Sequence, residues 1–462
     1  MAKNYRGTKA DLQFLARRLR AGDLVAVPSE TVYGLAADAL SAKACRKIFN
    51  AKGRPSSDPL IVHVGSIAQA ASIAEIGPAA RKLMRQFWPG PLTLVLPKKP
   101  VIPDIVTSGR PSVAVRMPAH PLFLKLLAET GTPLAAPSAN PFGYVSPTTA
   151  RHVQDGLGKR IKYILDGGPC EVGVESTIVD LRDPQRPRLL RPGQVTKADL
   201  ERVLRKQVVR GPATALEPNA SAHIGLLQPA SGRAAAGRIK SGHEALEALR
   251  YAILRVDVAA KTKSSANSGA ATTSPAAVGT TKIPLNFSNP PAPEGQTHPL
   301  VGMIAPGMLA RHYSPHTPVV AHRKITWAQV QKASPNTAWV FVKRPKRAKN
   351  AKNVFAWDEP VGEDKSEHPK LSRSRNLTRG QTQPAVTVRP VRAISAARSV
   401  RNPSRDHGRS HSSTIAHNLF ALLRKLDSQS WQSIQVEYAP RGGLGDAIND
   451  RLTRAAAQAA SM

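Results

Sequence analysis

Residues 8–35 read TKADLQFLARRLRAGDLVAVPSETVYGL, and the spacing of apolar residues changes halfway along. Leu12, Leu15 and Leu19 recur at helical spacing, so a helix is predicted over 8–21, and Gly22 stops it. Residues 24–27 then form a short apolar strand that ends at Pro28. The alternation continues outward. Strand-like runs at 60–64, 92–96, 113–116, 134–136, 163–165 and 177–181 interleave with helical patterns such as 79–87 and 122–129. Helix and strand in alternation predict an α/β fold with a mixed sheet, its chemistry carried by loops at strand ends. Late in the chain, 319–320 and 338–342 read as strands and 414–426 and 446–459 as helices, which predicts a second, smaller α/β domain.

The 462 residues leave room for two or three domains, and a hydrophobic share of 41% excludes a wholly disordered or collagen-like chain. Cys45 and Cys170 are the only cysteines, too few for a disulfide framework or a four-thiolate zinc site. No apolar run approaches the roughly 18 residues of a membrane span, and the first twenty residues lack the apolar core of a signal peptide. A soluble, cytoplasmic protein without membrane contact is the expectation.

Positive charge dominates, with 66 Lys plus Arg against 31 Asp plus Glu, a net of +35. It is spread unevenly: residues 1–210 hold 32 basic and 16 acidic side chains, whereas 343–412 hold 17 and 6 in a far shorter stretch. That stretch includes KRPKRAKNAK, SRSRNLTRG and RPVRAISAARSVRNPSRDHGRS. With one dominant sign of charge and little apolar periodicity, about 344–412 reads as a disordered basic insertion. Two uses stay open for it, a solubilising insertion and a segment that binds a polyanion such as RNA. A second soft region, rich in Ser, Thr, Ala, Gly and Pro, includes KTKSSANSGAATTSPAAVGTT and NPPAPEGQ and reads as a flexible tether, with one short helix compatible with 243–258.

Three loops next to strands carry candidate chemistry. PSETVYGL (28–35) offers the hydroxyls of Ser29, Thr31 and Tyr33, residue types that more often cap or turn. NAKGRPSSDPL (50–60) puts Lys52 and Arg54 two apart, which in an extended segment aims both cations to one side, as gripping a polyphosphate requires. AAPSAN (135–140) ends a strand with Ser138 and Asn140 spaced by two, and Ser146 follows. His63 sits within an apolar strand, the usual place of a satisfied core histidine. A phosphate loop of the Gly-x-x-x-x-Gly-Lys-Ser/Thr kind, a dinucleotide fingerprint and a nucleophile elbow are all absent from the sequence.

Taken in order, PSETVYGLAADA, KGRPSSDPLIVHV, FWPGPLTLVL, SVAVRMPAHP, LAAPSAN, VGVESTIVDL and LLRPGQV closely resemble the threonylcarbamoyl-AMP synthase family, whose catalytic unit is the YrdC-like domain. Downstream, APGMLARHYSPHTPV (305–319) resembles the linker of the family's two-domain members, and HNLFALLRKLDS with LGDAINDRLTRAA their small C-terminal domain. The resemblance implies a YrdC-like twisted mixed sheet with flanking helices over 1–207, a low-complexity insertion over 208–300, and a linker over 301–318. The small α/β domain would then occupy 319–462, interrupted by the basic insertion.

It also implies a reaction. L-threonine, bicarbonate or CO2, and ATP with Mg2+ would give threonylcarbamoyl-AMP and pyrophosphate, feeding a separate transferase complex that modifies adenosine in tRNA. Matched position by position, Lys52, Arg54, Ser138 and Asn140 fall on the family's catalytic motifs, and Thr31, His63, Arg116, Ala136 and Ser176 on its threonine pocket. Arg54, Asp58, Ser112, Ser138, Ser146, Arg191 and Tyr313 fall on its nucleotide contacts. At Asp58 relatives commonly carry Asn, so a nucleotide contact there requires Mg2+ or a basic neighbour to offset phosphate repulsion. The surplus of positive charge adds an expected affinity for tRNA or double-stranded RNA. No metal site built from protein ligands is expected.

Overall fold

The computed structural model describes residues 1–211, 303–307, 309, 312–361 and 411–457. Most of the low-complexity region, the short helix expected over 243–258 and the basic residues 362–410 lie outside the described residues.

Helix α1 (Lys9–Arg20) begins at a reciprocal cap in which the Thr8 hydroxyl accepts from the Asp11 amide and the Asp11 carboxylate accepts from the Thr8 amide. Its apolar stripe of Leu12, Leu15, Ala16 and Leu19 is buried. The strands around it assemble, among the described residues, into one eleven-stranded mixed sheet. They are β1 (Lys3–Tyr5), β2 (Val25–Val27), β3 (Gly34–Asp38), β4 (Ile61–His63), β5 (Leu92–Pro97), β6 (Ser112–Arg116), β7 (Leu134–Ala135), β8 (Tyr163–Leu165), β9 (Thr177–Asp180), β10 (Arg188–Arg191) and β11 (Val209–Arg210). Their order across the sheet is β1-β8-β2-β3-β7-β4-β6-β5-β9-β10-β11. Helices α2 (Ala42–Lys52), α3 (Ile67–Ile73), α4 (Pro78–Phe87), α5 (Asp104–Thr107), α6 (Pro121–Thr130), α7 (Ala150–Leu157) and α8 (Lys197–Leu204) complete this part. The sheet continues past the boundary expected at 207, because β11 pairs in parallel with β10.

The second sheet holds four parallel strands in the order β12-β15-β13-β14. These are β12 (Val319–His322), β13 (Thr337–Phe341), β14 (Val354–Ala356) and β15 (Ser433–Glu437), accompanied by α9 (Trp327–Lys332), α10 (His411–Asp427) and α11 (Leu444–Ala456). A small α/β domain is therefore present, as the sequence predicts. The disordered insertion expected from 344 is corrected for 344–361, which is ordered. Val354, Ala356 and Trp357 are buried there, Trp357 Nε1 donates to the Glu437 carbonyl at 3.0 Å, and Arg344 pairs with Glu359. Counting charge over a long window hid this short apolar run, which the neighbouring strand pairs and buries.

The two sheets share an apolar seam. Val145, Val172 and Val174 of the first part belong to the same buried cluster as Tyr313 of the linker and Ile415, Ala416, Leu419 and Phe420 of α10. At Gly173, φ is +82° and a Cβ would run into the backbone of Ala416 and His417, so the close approach of α10 requires glycine. Each large apolar side chain buried in this seam contributes about 1.5–3 kcal/mol. Among the described residues no helix is long and apolar enough to cross a membrane.

Candidate functional site

Strand ends converge on one cavity holding about 560 Å³ of unfilled space, its open mouth included. Parallel pairing of β4 with β6 sets His63 opposite Arg116 in register, placing both side chains on the same face of the sheet. Arg116 is buried and pre-aimed: Nη1 donates to Thr31 Oγ1 at 3.0 Å and Nε to the Gly90 carbonyl at 3.2 Å, while Nη2 lies 2.6 Å from Glu30 Oε1. Thr31 Oγ1 is in turn 2.9 Å from Ser29 Oγ, which also donates to the Val32 carbonyl, so the loop after β2 is a hydroxyl-stabilised turn that lines the cavity. Burial, reinforced by the positive charge of Arg116, pushes the His63 imidazole well below its usual range and keeps it neutral.

Across the cavity, Ser176 immediately precedes β9. Its Oγ is 2.8 Å from Thr93 Oγ1 and accepts from Arg191 Nη2 at 3.1 Å, while Arg191 Nε donates to the Ser176 carbonyl. Ser138, Ala136 and Arg54 complete the wall. From the linker, Tyr313 reaches the cavity with φ of +64°, beside Arg191 and stacked on Phe420 of α10 at 5.7 Å between ring centroids.

The five positions matched to a threonine pocket, Thr31, His63, Arg116, Ala136 and Ser176, thus line one cavity, as do Arg54, Ser138, Arg191 and Tyr313. Other candidates stand elsewhere. The paired-cation reading of Lys52 and Arg54 is corrected, because Lys52 ends helix α2 and Gly53 caps it in the left-handed region at φ +65°. The two charges still act on each other and on Asp58, but their side chains bond different groups. Lys52 Nζ donates to the carbonyls of Ser138 at 2.6 Å and Asn140 at 2.5 Å, and burial followed by Arg54 lowers its pKa well below the usual lysine range. It holds the 138–140 loop, while Arg54 forms the cavity wall. Asn140 Nδ2 is occupied by the carbonyls of Pro141 and Tyr144.

Asp58 is fully buried, 2.9 Å from Arg54 Nη2, and supports Arg54 without lining the cavity. Arg54 also donates to the carbonyls of Asp58 and Pro59. Ser112 and Ser146 are buried outside the wall, Ser146 donating to Glu175 Oε1 at 2.6 Å. Tyr33, one of the three hydroxyls read from the sequence, bonds the Gly168 carbonyl at 2.8 Å and serves the fold. Sequence reasoning missed Glu30, Glu175 and His312. Glu175 and His312 line the cavity, and Glu30 braces Arg116. Their signal was present in SETVYG, VESTIV and RHYSP, where an acid or imidazole sits among residues already singled out.

Fold and site together define a two-domain YrdC-like protein, with a strand-end cavity lined by arginines, hydroxyls and residues of the interdomain linker. Residues 17–193 match the Sua5/YciO/YrdC family, described as Telomere recombination, and residues 280–457 match the family described as Threonylcarbamoyl-AMP synthase, C-terminal domain. The chain is 50% identical over 194 residues to a threonylcarbamoyl-AMP synthase of Pyrococcus abyssi, covering 42% of this chain and 57% of that protein. It is 52% identical over 193 residues to that of Bacillus subtilis, covering 41% and 55%, and 37% identical over 187 residues to that of Vibrio vulnificus, covering 40% and 99%. The aligned stretch thus spans only about half the length of the first two of these relatives. The crystal structure of Pyrococcus abyssi Sua5 complexed with L-threonine superposes with a TM-score of 0.62 at 28% identity, covering 99% of this chain and 97% of that one. The chain belongs to the threonylcarbamoyl-AMP synthase family, in its two-domain form.

Proposed function

We propose that the protein makes threonylcarbamoyl-AMP and pyrophosphate from L-threonine, bicarbonate or CO2, and ATP. One observation carries this reading: a single cavity has the braced fork of Arg116, with Thr31, His63 and Ser176, among its walls, together with Arg54, Ser138, Arg191 and Tyr313. An Arg fork suits the amino-acid carboxylate, and two further guanidinium groups suit a polyphosphate. That a relative has been crystallised with L-threonine supports the same assignment.

In this scheme the threonine amine loses a proton and adds to CO2, and an oxygen of the resulting carbamate attacks the α-phosphorus of ATP in line as pyrophosphate leaves. No side chain becomes a covalent nucleophile. Positioning and charge neutralisation supply the rate. The neutral His63 imidazole can accept a hydrogen bond at the threonine end, which a protonated ring could not. Mg2+ would enter as part of its ATP complex, on phosphate oxygens and water.

The product would pass to a transferase complex acting on tRNA in the cytoplasm, and the net charge of +35 gives the chain an affinity for that RNA. The test is pyrophosphate release. It should require ATP, threonine and bicarbonate together, and release indifferent to threonine would sink the reading.

A further inference from the structure

The small domain reaches the cavity wall with a buried cation. Arg451, on α11, is fully buried; its Nε donates to Glu175 Oε2 at 3.0 Å and its Nη1 to the Pro192 carbonyl at 2.6 Å. The other oxygen of Glu175 accepts from Ser146 Oγ at 2.6 Å, so one carboxylate joins α11 to the 138–146 loop. Glu175 lines the cavity and immediately precedes Ser176, which Arg191 holds. The Arg451 guanidinium also lies over the ring of Tyr313 at 5.5 Å. A second element of the same domain grips the same loop. Arg424 near the end of α10 donates to the carbonyls of Val145 and Ser146, and Asp427 accepts from the Tyr144 hydroxyl and the Thr317 amide, each at 2.7 Å.

A carboxylate facing a space that receives a triphosphate is repulsive unless a partner neutralises it. Around Glu175, Arg451 makes the direct ion pair through Nε, Arg191 adds positive charge nearby, and Ser146 supplies the remaining hydrogen bond, while Arg451 Nη1 also lies 3.2 Å from Asp450 Oδ2. We infer that Arg451 is a positioning residue for the nucleotide, contributed by the small domain: it neutralises Glu175 at the cavity wall and, through that carboxylate, fixes Ser146 and the loop carrying Ser138. This inference rests on the reading of the cavity as an ATP site. It assigns the small domain a direct part in building that site.

The experiment measures MgATP and L-threonine binding by calorimetry to the full chain and to Arg451→Ala, Arg451→Lys and Arg451→Ala/Glu175→Gln. Losing the partner of a buried carboxylate should weaken MgATP binding about tenfold or more in Arg451→Ala and change threonine binding little. Arg451→Lys keeps the charge without the fork and should fall between parent and Ala. Glu175→Gln removes the uncompensated charge yet still accepts from Ser146, so the double variant should recover most of the lost affinity. A merely structural role for Arg451 predicts no such recovery. The inference is overturned if Arg451→Ala binds MgATP like the parent, if both ligands are lost equally, or if the Gln substitution restores nothing. A parent that binds MgATP yet releases no pyrophosphate with threonine and bicarbonate would overturn the proposed activity alone. A parent that fails to bind MgATP would overturn both.

Discussion

Arg116 has each of its three nitrogens engaged by Gly90, Thr31 or Glu30, so its fork is oriented by the fold alone. Replacing it with Lys keeps the charge and discards the planar geometry, which should weaken threonine binding about ten- to a hundredfold while leaving MgATP binding nearly unchanged, as titration of the two ligands would reveal. Arg116 was legible in the sequence through the SVAVRMPAHP motif, whereas Glu30, though its signal stood beside Thr31 in SETVYG, was passed over because a carboxylate there looks like solvent-facing loop until the fold buries it. Lys52 shows the opposite error. Spacing by two aims both cations to one side only if the chain is extended, whereas Lys52 ends a helix at the left-handed Gly53 and bonds the 138–140 loop while Arg54 bonds the 58–59 carbonyls.

His152 gives the residue scale a pH dependence. Burial, with Arg424 adding, pushes its pKa down to about 3, so it is neutral in the folded state throughout the physiological range. The unfolded chain takes up a proton below about 6.5, so the stability contributed by this group is present above that pH and is lost progressively as pH falls toward 3. His63 and His312 are shifted in the same direction. The melting temperature should therefore drop on acidification from pH 6.5, and His152→Asn, whose side-chain oxygen can still accept from the Thr148 amide, should flatten that drop. An unchanged slope would contradict it.

At the scale of elements, the long apolar runs were the readable ones: β5, β6, α4, α6, α10 and α11 all stand within a few residues of their expected positions. Helix α2 was hidden because Lys43, Arg46 and Lys47 interrupt its buried stripe of Ala44, Cys45, Ile48 and Phe49. The two-residue strand β11 is too short to carry a period, and β14 lay inside a basic window. None of the seam between α10 and the 172–174 loop could be read from spacing, since its partners lie more than two hundred residues apart in the chain. Gly173 tests that seam. Substitution by Ala forces either a strained backbone or retreat of α10, and should destabilise by about 1–3 kcal/mol, seen as a lower melting temperature and faster proteolysis near 411–427. An Ala variant as stable as the parent would mean that α10 does not dock there.

For the molecule as a whole, two sheets, a linker tyrosine and a charge of +35 have to be accounted for together. The cavity takes walls from the first sheet and Tyr313 from the linker, and the small domain grips the same loops, so the arrangement needs both parts. Much of the basic surplus lies away from this site in sequence, in 343–412. Deleting 362–410 should therefore weaken tRNA binding and shallow its salt dependence while leaving pyrophosphate release intact. Equal tRNA affinity after deletion would move RNA recognition to the remaining residues. The family was legible from seven ordered motifs, but the link from α11 to the cavity was not, because a buried ion pair between residues 175 and 451 leaves no local pattern.

The most direct test traces carbon. Incubating the full chain with ATP, L-threonine and labelled bicarbonate, then resolving nucleotides by mass, should give an adenylate carrying both the threonine mass and the bicarbonate label, formed in step with pyrophosphate. Label that never enters an adenylate, or an adenylate that forms at the same rate without threonine, would contradict the assignment of this cavity.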